Sequence, residues 1–294
     1  MGIFSRRLCR HLCRRLSFGL MTLFGLARRG YFIPYRYAGD IPKTPETESY
    51  PWLESEFSKH EAEFAEILRL AEGHADALMR FDGASPPLPR WQQDWYPRLD
   101  GVAAYCLIRK LRPSRIVEVG SGHSTRFFHA ALSDAALSDG GGNCDFHAID
   151  PAPRADLTQL EGLTLHRNSL QKQGFSLFGG FRSGDVLAID SSHIAVPGSD
   201  VDRLFGEIVP RLPRGAYLAI HDIFLPDPYP EGWRWRGYNE QGMVAALMAG
   251  GGFRPVWSSR YAATRMRATV DAGVVGRLPH ETGAHETALW LAKV

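Results

Sequence analysis

The sequence predicts an α/β fold: a mostly parallel sheet covered by helices on both faces, with a final antiparallel strand and a helical N-terminal extension. Three observations support this prediction. Short apolar runs alternate with helical patterns from Trp91 onward, one such run leads directly into a glycine-rich turn at 120–122, and two others end at an acidic residue.

The elements follow one another at spacings typical of strand–helix units. A helical pattern over 54–82 follows an extended connection at 31–52. The clearest helix is Gly198–Leu212, where Ser199 and Asp202 resemble a capping box. A loop is expected over Arg260–Glu281. The predicted strands are Arg115–Val119, Asp145–Ile149, Leu163–His166, Val186–Ile189, Ala216–Ile220, Phe253–Ser258 and Thr287–Ala292.

Composition bounds the class of protein. The chain has 294 residues, of which 44% are hydrophobic and 22% charged, which excludes a disordered or collagen-like protein. Its formal charge of +2 argues against a nucleic-acid binder. The four cysteines at 9, 13, 106 and 144 form no zinc pattern, so we expect reduced thiols and a cytoplasmic location.

The first 30 residues form a basic arm. They hold seven arginines and no acid, so residues 31–294 carry a formal charge of −5. Arginines recur every four residues at 6, 10 and 14, as do leucines at 8, 12, 16 and 20, which predicts an amphipathic helix. Such a helix lies either on an anionic membrane surface or against protein, on the body of the chain or on a second subunit. We therefore predict an arm at 1–30, a helical accessory segment at 31–90 and the main domain at 91–294.

The turn after the first strand suggests a ligand site. Gly120-Ser121-Gly122 lets backbone approach a ligand, and the helix that starts near Ser124 offers free N–H groups. Thr125 stands where a dinucleotide fingerprint needs its third glycine, which counts against NAD. The carboxylate of Glu118 can bind an amino group, and that of Asp150 can accept hydrogen bonds from ribose hydroxyls. The pattern therefore favours a nucleoside that carries an amino acid. A ligand-free turn, with Asp150 capping the backbone before a proline, is the alternative.

These residues resemble a known family. Glu118-Val-Gly-Ser-Gly122, Asp150 and Val186-Leu-Ala-Ile-Asp190 look like the class I S-adenosylmethionine (SAM) methyltransferases, which have a Rossmann-like fold. The likeness spans about residues 91–294. It implies that 120–122 lines the methionine end of SAM, that Glu118 holds its amino group, that Asp150 binds its ribose, and that Asp190 belongs to the cofactor side. The 27-residue gap between Gly122 and Asp150 is long for the family and implies an inserted loop at 138–144.

The reacting end is expected at two further strand ends. Asp190-Ser-Ser-His193 and His221-Asp-Ile-Phe-Leu-Pro226 resemble a bacterial branch whose members often modify sugars and surface polysaccharides. His193 is the candidate base for a hydroxyl acceptor, with His221 and Asp222 beside it. The alternatives are a backbone-capping His193 and a merely buried His221.

A metal-assisted reaction is the rival interpretation. Asp190, His193 and Asp222 match the spacing of a metal-dependent O-methyltransferase. However, Ile223 stands where that family usually has an asparagine ligand, so Mg²⁺ is not favoured.

Two features follow the second strand end. The aromatic segment Pro226–Tyr238 suits either a lid over a sugar or ring acceptor or a structural flap. Glu240 is expected to be a first-turn acid that favours the helix dipole.

The leading prediction is SAM-dependent O-methylation of a saccharide or other small acceptor. The alternatives are an NAD(P)-dependent enzyme and a membrane-associated scaffold without catalysis. The sequence does not predict the oligomeric state.

Overall fold

The structure of the protein is a computed structural model that describes residues 13, 16–31, 33–42, 49–139 and 143–294. The chain forms two compact units, Met1–Glu46 and Thr47–Val294. In the first unit, residues 16–23 are helical and Ala38–Asp40 form a 3₁₀ turn. The arginine repeat at 6, 10 and 14 and residues 140–142 of the predicted insertion at 138–144 lie outside the described residues.

The second unit contains a seven-stranded sheet and the helices that cover it. Its strands are β1 (Arg115–Val119), β2 (Asp145–Ile149), β3 (Leu163–His166), β4 (Val186–Ile189), β5 (Tyr217–Ile220), β6 (Phe253–Ser258) and β7 (Leu289–Lys293). Its helices are α1 (Pro51–Ser58), α2 (Glu61–Gly73), α3 (Ala75–Met79), α4 (Arg98–Leu111), α5 (His123–Asp139), α6 (Asp200–Arg203), α7 (Glu240–Ala249), α8 (Ser259–Arg265), α9 (Arg267–Ala272) and α10 (Val274–Arg277).

The strand order is β3-β2-β1-β4-β5-β7-β6. All neighbouring pairs are parallel except those of β7, which runs antiparallel to β5 and β6. The predicted Rossmann-like α/β class is thereby confirmed. Because β4 and β5 are buried on both faces, their sequences are continuous apolar runs instead of alternating patterns, whereas the equally buried β1 includes Glu118.

The register places the strand ends level with one another. Val119 pairs with Ile149 on one side and with Ile189 on the other, and Ile189 pairs with Ile220. The next residue of each strand therefore emerges at the same edge of the sheet. These four residues are Gly120, Asp150, Asp190 and His221.

Large side chains fill the core on both faces of the sheet. Trp91, Trp257 and Trp290 are fully buried. Burying a large apolar side chain stabilises a fold by roughly 1.5–3 kcal/mol. Gly101 permits the close contact of α4 with α5, since a Cβ there would lie 2.6 Å from the ring of Phe127.

One sequence prediction about secondary structure is wrong. Residues 260–281 were expected to be a loop, yet they contribute to three short helices, α8, α9 and α10. These helices have only 7, 6 and 4 residues. Each is too short for an apolar face to recur within it, so a window of sequence shows no helical period.

The predicted helix over 198–212 is helical but irregular. Ser199 caps it, because its Oγ accepts a hydrogen bond from the N–H of Asp202 at 3.1 Å. After α6 the chain widens into a π turn at Leu204–Ile208 and tightens into a 3₁₀ turn at Val209–Arg211. Pro210 explains the change, because it has no N–H to continue an α-helical ladder.

No helix in the described ranges is both long enough and apolar enough to span a bilayer.

Candidate active site

Gly120 opens the site at the end of β1. Its φ is +85°, a left-handed conformation that disfavours side chains, and an added Cβ would overlap the backbone oxygen of Asp190. Backbone hydrogen bonds hold this close approach in place. The N–H of Gly120 donates to the carbonyl of Ile149, and the N–H of Asp190 donates to the carbonyl of Val119. Gly122 differs, because an added Cβ there would meet nothing within 4 Å. The turn is thus tight at its first glycine and open at its second.

Glu118 is a buried carboxylate on β1. The hydroxyls of Ser124 and Thr125 donate to its two oxygens at 2.5 and 2.7 Å. Burial raises the pKa of Glu118 to about 8, and those two hydrogen bonds only partly oppose the effect. A cation bound beside this carboxylate would favour its ionised form. Thr125, which stands in place of the third glycine of a dinucleotide fingerprint, therefore helps to hold the Glu118 carboxylate in position through its hydrogen bond.

Asp150 lies beside the glycine turn. Its Oδ2 accepts hydrogen bonds from the N–H and the hydroxyl of Ser121 at 2.9 and 3.0 Å. Its Oδ1 accepts one from the N–H of Ala152 at 2.7 Å, which is the capping contact that the sequence left open. Asp150 therefore holds the turn in place, and its Oδ1, which accepts a single hydrogen bond, retains a lone pair.

A cleft runs along the ends of β1, β4 and β5. Side chains that line it include Glu118, Asp190, His221 and Tyr96. Burial opposes ionisation of Asp190, but the adjacent imidazoles of His221 and His193 outweigh burial and hold the pKa of Asp190 below its usual range. The cleft thus combines carboxylates with imidazoles, a setting suited to a cationic ligand and to proton transfer.

His193 connects this cleft to α7. Its Nδ1 lies 2.8 Å from Oε2 of Glu240, and its Nε2 lies 3.3 Å from Asp190 and 3.5 Å from Asp222. Burial disfavours the imidazolium, but the carboxylates of Asp190 and Glu240 outweigh burial and raise the pKa of His193. Without a bound cation, these carboxylates therefore favour the protonated form of His193.

His221 occupies the neighbouring strand end. Its Nε2 lies 3.0 Å from Asp100, and its Nδ1 lies 3.6 Å from Asp190. Asp100 also accepts hydrogen bonds from the backbone N–H groups of Thr287 and Ala288, so it ties α4 to the start of β7. Burial opposes the charge on His221, but Asp222 and Asp190 outweigh it and raise its pKa.

Two of the predicted site residues have unusual backbone. His193 and Asp222 adopt φ of 60° and 58°, and only Arg112 shares this left-handed state among the described non-glycine residues. Such conformations are costly for a residue with a side chain, and they concentrate at functional sites.

The same residues form a candidate metal set. One ligand atom each from Asp190, His193 and Asp222 lies within 4.8 Å of the other two. The Glu240 contact would leave Nε2 of a neutral His193 free to bind a cation. Ile223 is buried and offers no ligand atom, so the set has fewer oxygen donors than Mg²⁺ prefers.

The aromatic segment Pro226–Tyr238 reaches this cluster through Tyr238. The Tyr238 ring lies 4.5 Å from the ring of His193, between centroids. Trp233 packs against Phe224 at 4.9 Å, and the guanidinium of Arg236 lies 3.9 Å above the Trp233 ring. Trp235, in contrast, is 44% exposed.

The structure brings the predicted site residues to one edge of the sheet. Glu118, the 120–122 turn and Asp150 lie on the side of β1 and β2, whereas Asp190, His193, His221 and Asp222 lie on the side of β4 and β5.

Sequence reasoning missed two further members of the site. Glu240 is a fully buried partner of His193 instead of a simple first-turn acid, and Asp100 supports His221 from α4. Both are acidic residues in the first turn of a helix, where acids are common in all proteins. Neither residue is therefore distinguished by its sequence pattern.

A family comparison agrees with this geometry. Residues 117–223 match a family model described as a methyltransferase domain. The match begins within β1 and ends directly after Asp222, so it includes the glycine turn, Asp150, Asp190 and His193. On this match the chain is similar to a methyltransferase domain over residues 117–223, which are 107 of its 294 residues.

Several solved structures are similar to the chain at low identity. A methyltransferase of Podospora anserina, PaMTH1, bound to S-adenosylhomocysteine, is 12% identical with a TM-score of 0.42, over 90% of this chain and 99% of that one. TomG of Streptomyces achromogenes, an O-methyltransferase involved in tomaymycin synthesis, is 15% identical with a TM-score of 0.32, over 71% and 90%. CmcI with Mg and SAM is 16% identical with a TM-score of 0.37, over 65% and 68%.

Among the curated proteins, none matches the chain.

Proposed function

We propose that the protein transfers the methyl group of SAM to a hydroxyl group of a small acceptor, and that the acceptor is a saccharide. The observation that carries the proposal is the position of His193. Its ring lies between Glu240 and the acids of two strand ends, beside the cleft that Glu118 lines.

The residues present fit SAM. Glu118 would hold the amino group, the open backbone at Gly122 would lie along the methionine end, and Asp150 would bind a ribose hydroxyl through the remaining lone pair of Oδ1. When bound, SAM supplies an electrophilic methyl group on a positively charged sulfur.

His193 is the group that we expect to accept the proton of the acceptor hydroxyl. Glu240 accepts a hydrogen bond from Nδ1, which directs Nε2 towards Asp190 and Asp222. Positive charge bound in the cleft would lower the pKa of His193 and so free Nε2 to take a proton. His221, held by Asp100, would orient the acceptor or share this role.

The aromatic segment supports a saccharide as acceptor. Sugars present apolar C–H faces and hydroxyl edges, and binding sites for such ligands combine aromatic faces with a few polar groups. Tyr238 borders His193, and Trp235 is half-exposed nearby in sequence. The resemblance of Asp190–His193 and His221–Pro226 to a sugar-modifying branch favours the same acceptor.

Calorimetry tests the cofactor residues. SAM and S-adenosylhomocysteine should bind, NAD should not, and Asp150→Ala should abolish SAM binding. Asp156→Ala is the matched control, because this exposed acid contacts only the nearby Thr158 through its side chain among the described hydrogen bonds.

Labelled SAM tests the acceptor. We expect label in saccharide hydroxyls from a panel of sugars, phenols, amines and carboxylic acids. Label confined to nitrogen or carbon acceptors would refute O-methylation, and label confined to phenols would refute the saccharide.

A further inference from the structure

The methyltransferase site leaves one distinctive segment unexplained, the first unit of the chain. The large apolar side chains that are exposed in the described residues concentrate there: eleven lie in 16–41, against nine in 50–294. A protein surface seldom leaves so many apolar groups together without a partner.

The exposed groups of the helical stretch share one face. Leu16, Leu20, Leu23 and Phe24 follow helical steps of three and four residues, and each is more than half exposed. The hydrogen bond from Phe24 N–H to the carbonyl of Leu20 continues the helical pattern to residue 24.

Aromatic rings and arginines follow this face. Tyr31, Tyr35 and Tyr37 are each 55% exposed. The guanidinium of Arg28 lies 5.5 Å from the Tyr31 ring, and that of Arg36 lies 5.7 Å from the Tyr37 ring. Tyrosine and arginine side chains both join an apolar body to a polar tip, which suits the boundary between lipid headgroups and acyl chains.

Charge distinguishes an anionic membrane from the same arm of a second copy as the occupant of this face. Residues 1–30 contain seven arginines and no acid. A second copy would bring the same positive charges against this face, which repel one another, whereas an anionic lipid surface attracts them. We propose that residues 16–37 lie on the surface of an anionic membrane, with the leucine and phenylalanine face inserted and the arginines on lipid headgroups.

Vesicle co-sedimentation of the full chain tests this proposal. We expect the protein to pellet with vesicles containing phosphatidylserine, to bind pure phosphatidylcholine at least about tenfold more weakly, and to lose most binding at high salt. The variants Leu20→Glu/Phe24→Glu and Arg28→Glu/Arg29→Glu should each reduce binding about tenfold or more.

The matched control is Leu88→Glu/Leu137→Glu, which adds the same two charges at exposed apolar positions of the second unit. It should bind vesicles like the unmodified chain. SAM binding should be unchanged in all three variants, so a folding defect is distinguished from lost membrane contact. Equal binding to both vesicle types, or unaltered binding by both arm variants, would overturn the proposal. So would concentration-dependent dimerisation that Leu20→Glu/Phe24→Glu abolishes without any effect of vesicles.

Discussion

Glu240 holds His193 through a contact of 2.8 Å between Oε2 and Nδ1, and the Glu240 side chain is fully buried. The pair joins the start of α7 to the loop after β4. Asn239 strengthens the join, because its N–H donates to the carbonyl of His193 and its side-chain oxygen accepts from Ala195. Glu240, which lies 47 residues from His193 in the chain, thus sets which nitrogen of His193 points towards Asp190 and Asp222.

The first prediction concerns the pH dependence of catalysis. His193 must be neutral to accept a proton, so kcat should rise as pH passes through its pKa, which the surrounding carboxylates raise. Glu240→Gln removes one negative charge but keeps a hydrogen-bond acceptor. It should lower that pKa and shift the rise in kcat to lower pH.

Glu240→Ala removes the acceptor as well, and kcat should fall about tenfold to a hundredfold with KM for SAM unchanged. Glu231→Gln, at an exposed acid of the same region, is the control and should leave the profile in place. An unshifted profile in Glu240→Gln would show that Glu240 has only a structural role.

The second prediction concerns the pH dependence of SAM binding. Burial raises the pKa of Glu118 to about 8, so below that pH the carboxyl is mostly protonated in the free protein. Binding of a cationic amino group would ionise it and release a proton. Affinity should rise with pH up to about 8, where the amino group of SAM itself begins to lose its proton.

Calorimetry in buffers of different ionisation enthalpy measures the released proton. Glu118→Gln should remove the part of the release that comes from Glu118, leaving any release from His193, and should weaken binding roughly tenfold to a hundredfold. Binding by the unmodified protein with no proton release at pH 6 or 7 would contradict the assignment of Glu118 to the amino group.

The third prediction separates the two glycines of the turn. Gly120→Ala should lower the free energy of unfolding by at least about 1–2 kcal/mol, because of its left-handed backbone, and the overlap with Asp190 adds to the loss. Gly122→Ala should leave the fold unchanged, since its Cβ enters open space. If that space receives SAM, Gly122→Ala weakens SAM binding.

Thermal denaturation with and without SAM measures both effects. A variant Gly122→Ala that has the melting temperature and the SAM affinity of the unmodified protein would place the methionine end elsewhere.

The fourth prediction concerns metal. If His193 acts as a base, methyl transfer should survive dialysis against a chelator, with metal content checked by elemental analysis. If Asp190, His193 and Asp222 instead bind a catalytic cation, activity should disappear and return with added metal. Because the imidazole nitrogen of His193 favours transition metals over Mg²⁺, Mn²⁺ or Zn²⁺ should then restore activity better than Mg²⁺ does.

Local pattern was sufficient to predict the sheet. The parallel strands and the acids at their ends follow from apolar runs and from the geometry of parallel sheets, as with Asp150 and Asp190 after β2 and β4. The small helices between 259 and 277 escaped prediction because they have only 7, 6 and 4 residues, too few for an apolar face to recur within one helix.

The supporting carboxylates of the site could not be predicted in this way. Glu240 lies 47 residues from His193 in the chain, and Asp100 lies 121 residues from His221. Periodicity reports which face of an element is buried, but it does not report which distant element that face meets. Tertiary packing alone creates these pairs.

The left-handed backbone at His193 and Asp222 has a consequence for engineering. Glycine adopts that conformation at the least cost, so substitution by glycine at either position would remove the backbone penalty, but it would also remove the contacts of His193 and Asp222 within the site. Any gain in heat tolerance at these two positions would therefore be tied to the loss of a site side chain. A thermostability screen of this protein needs an activity readout to retain them.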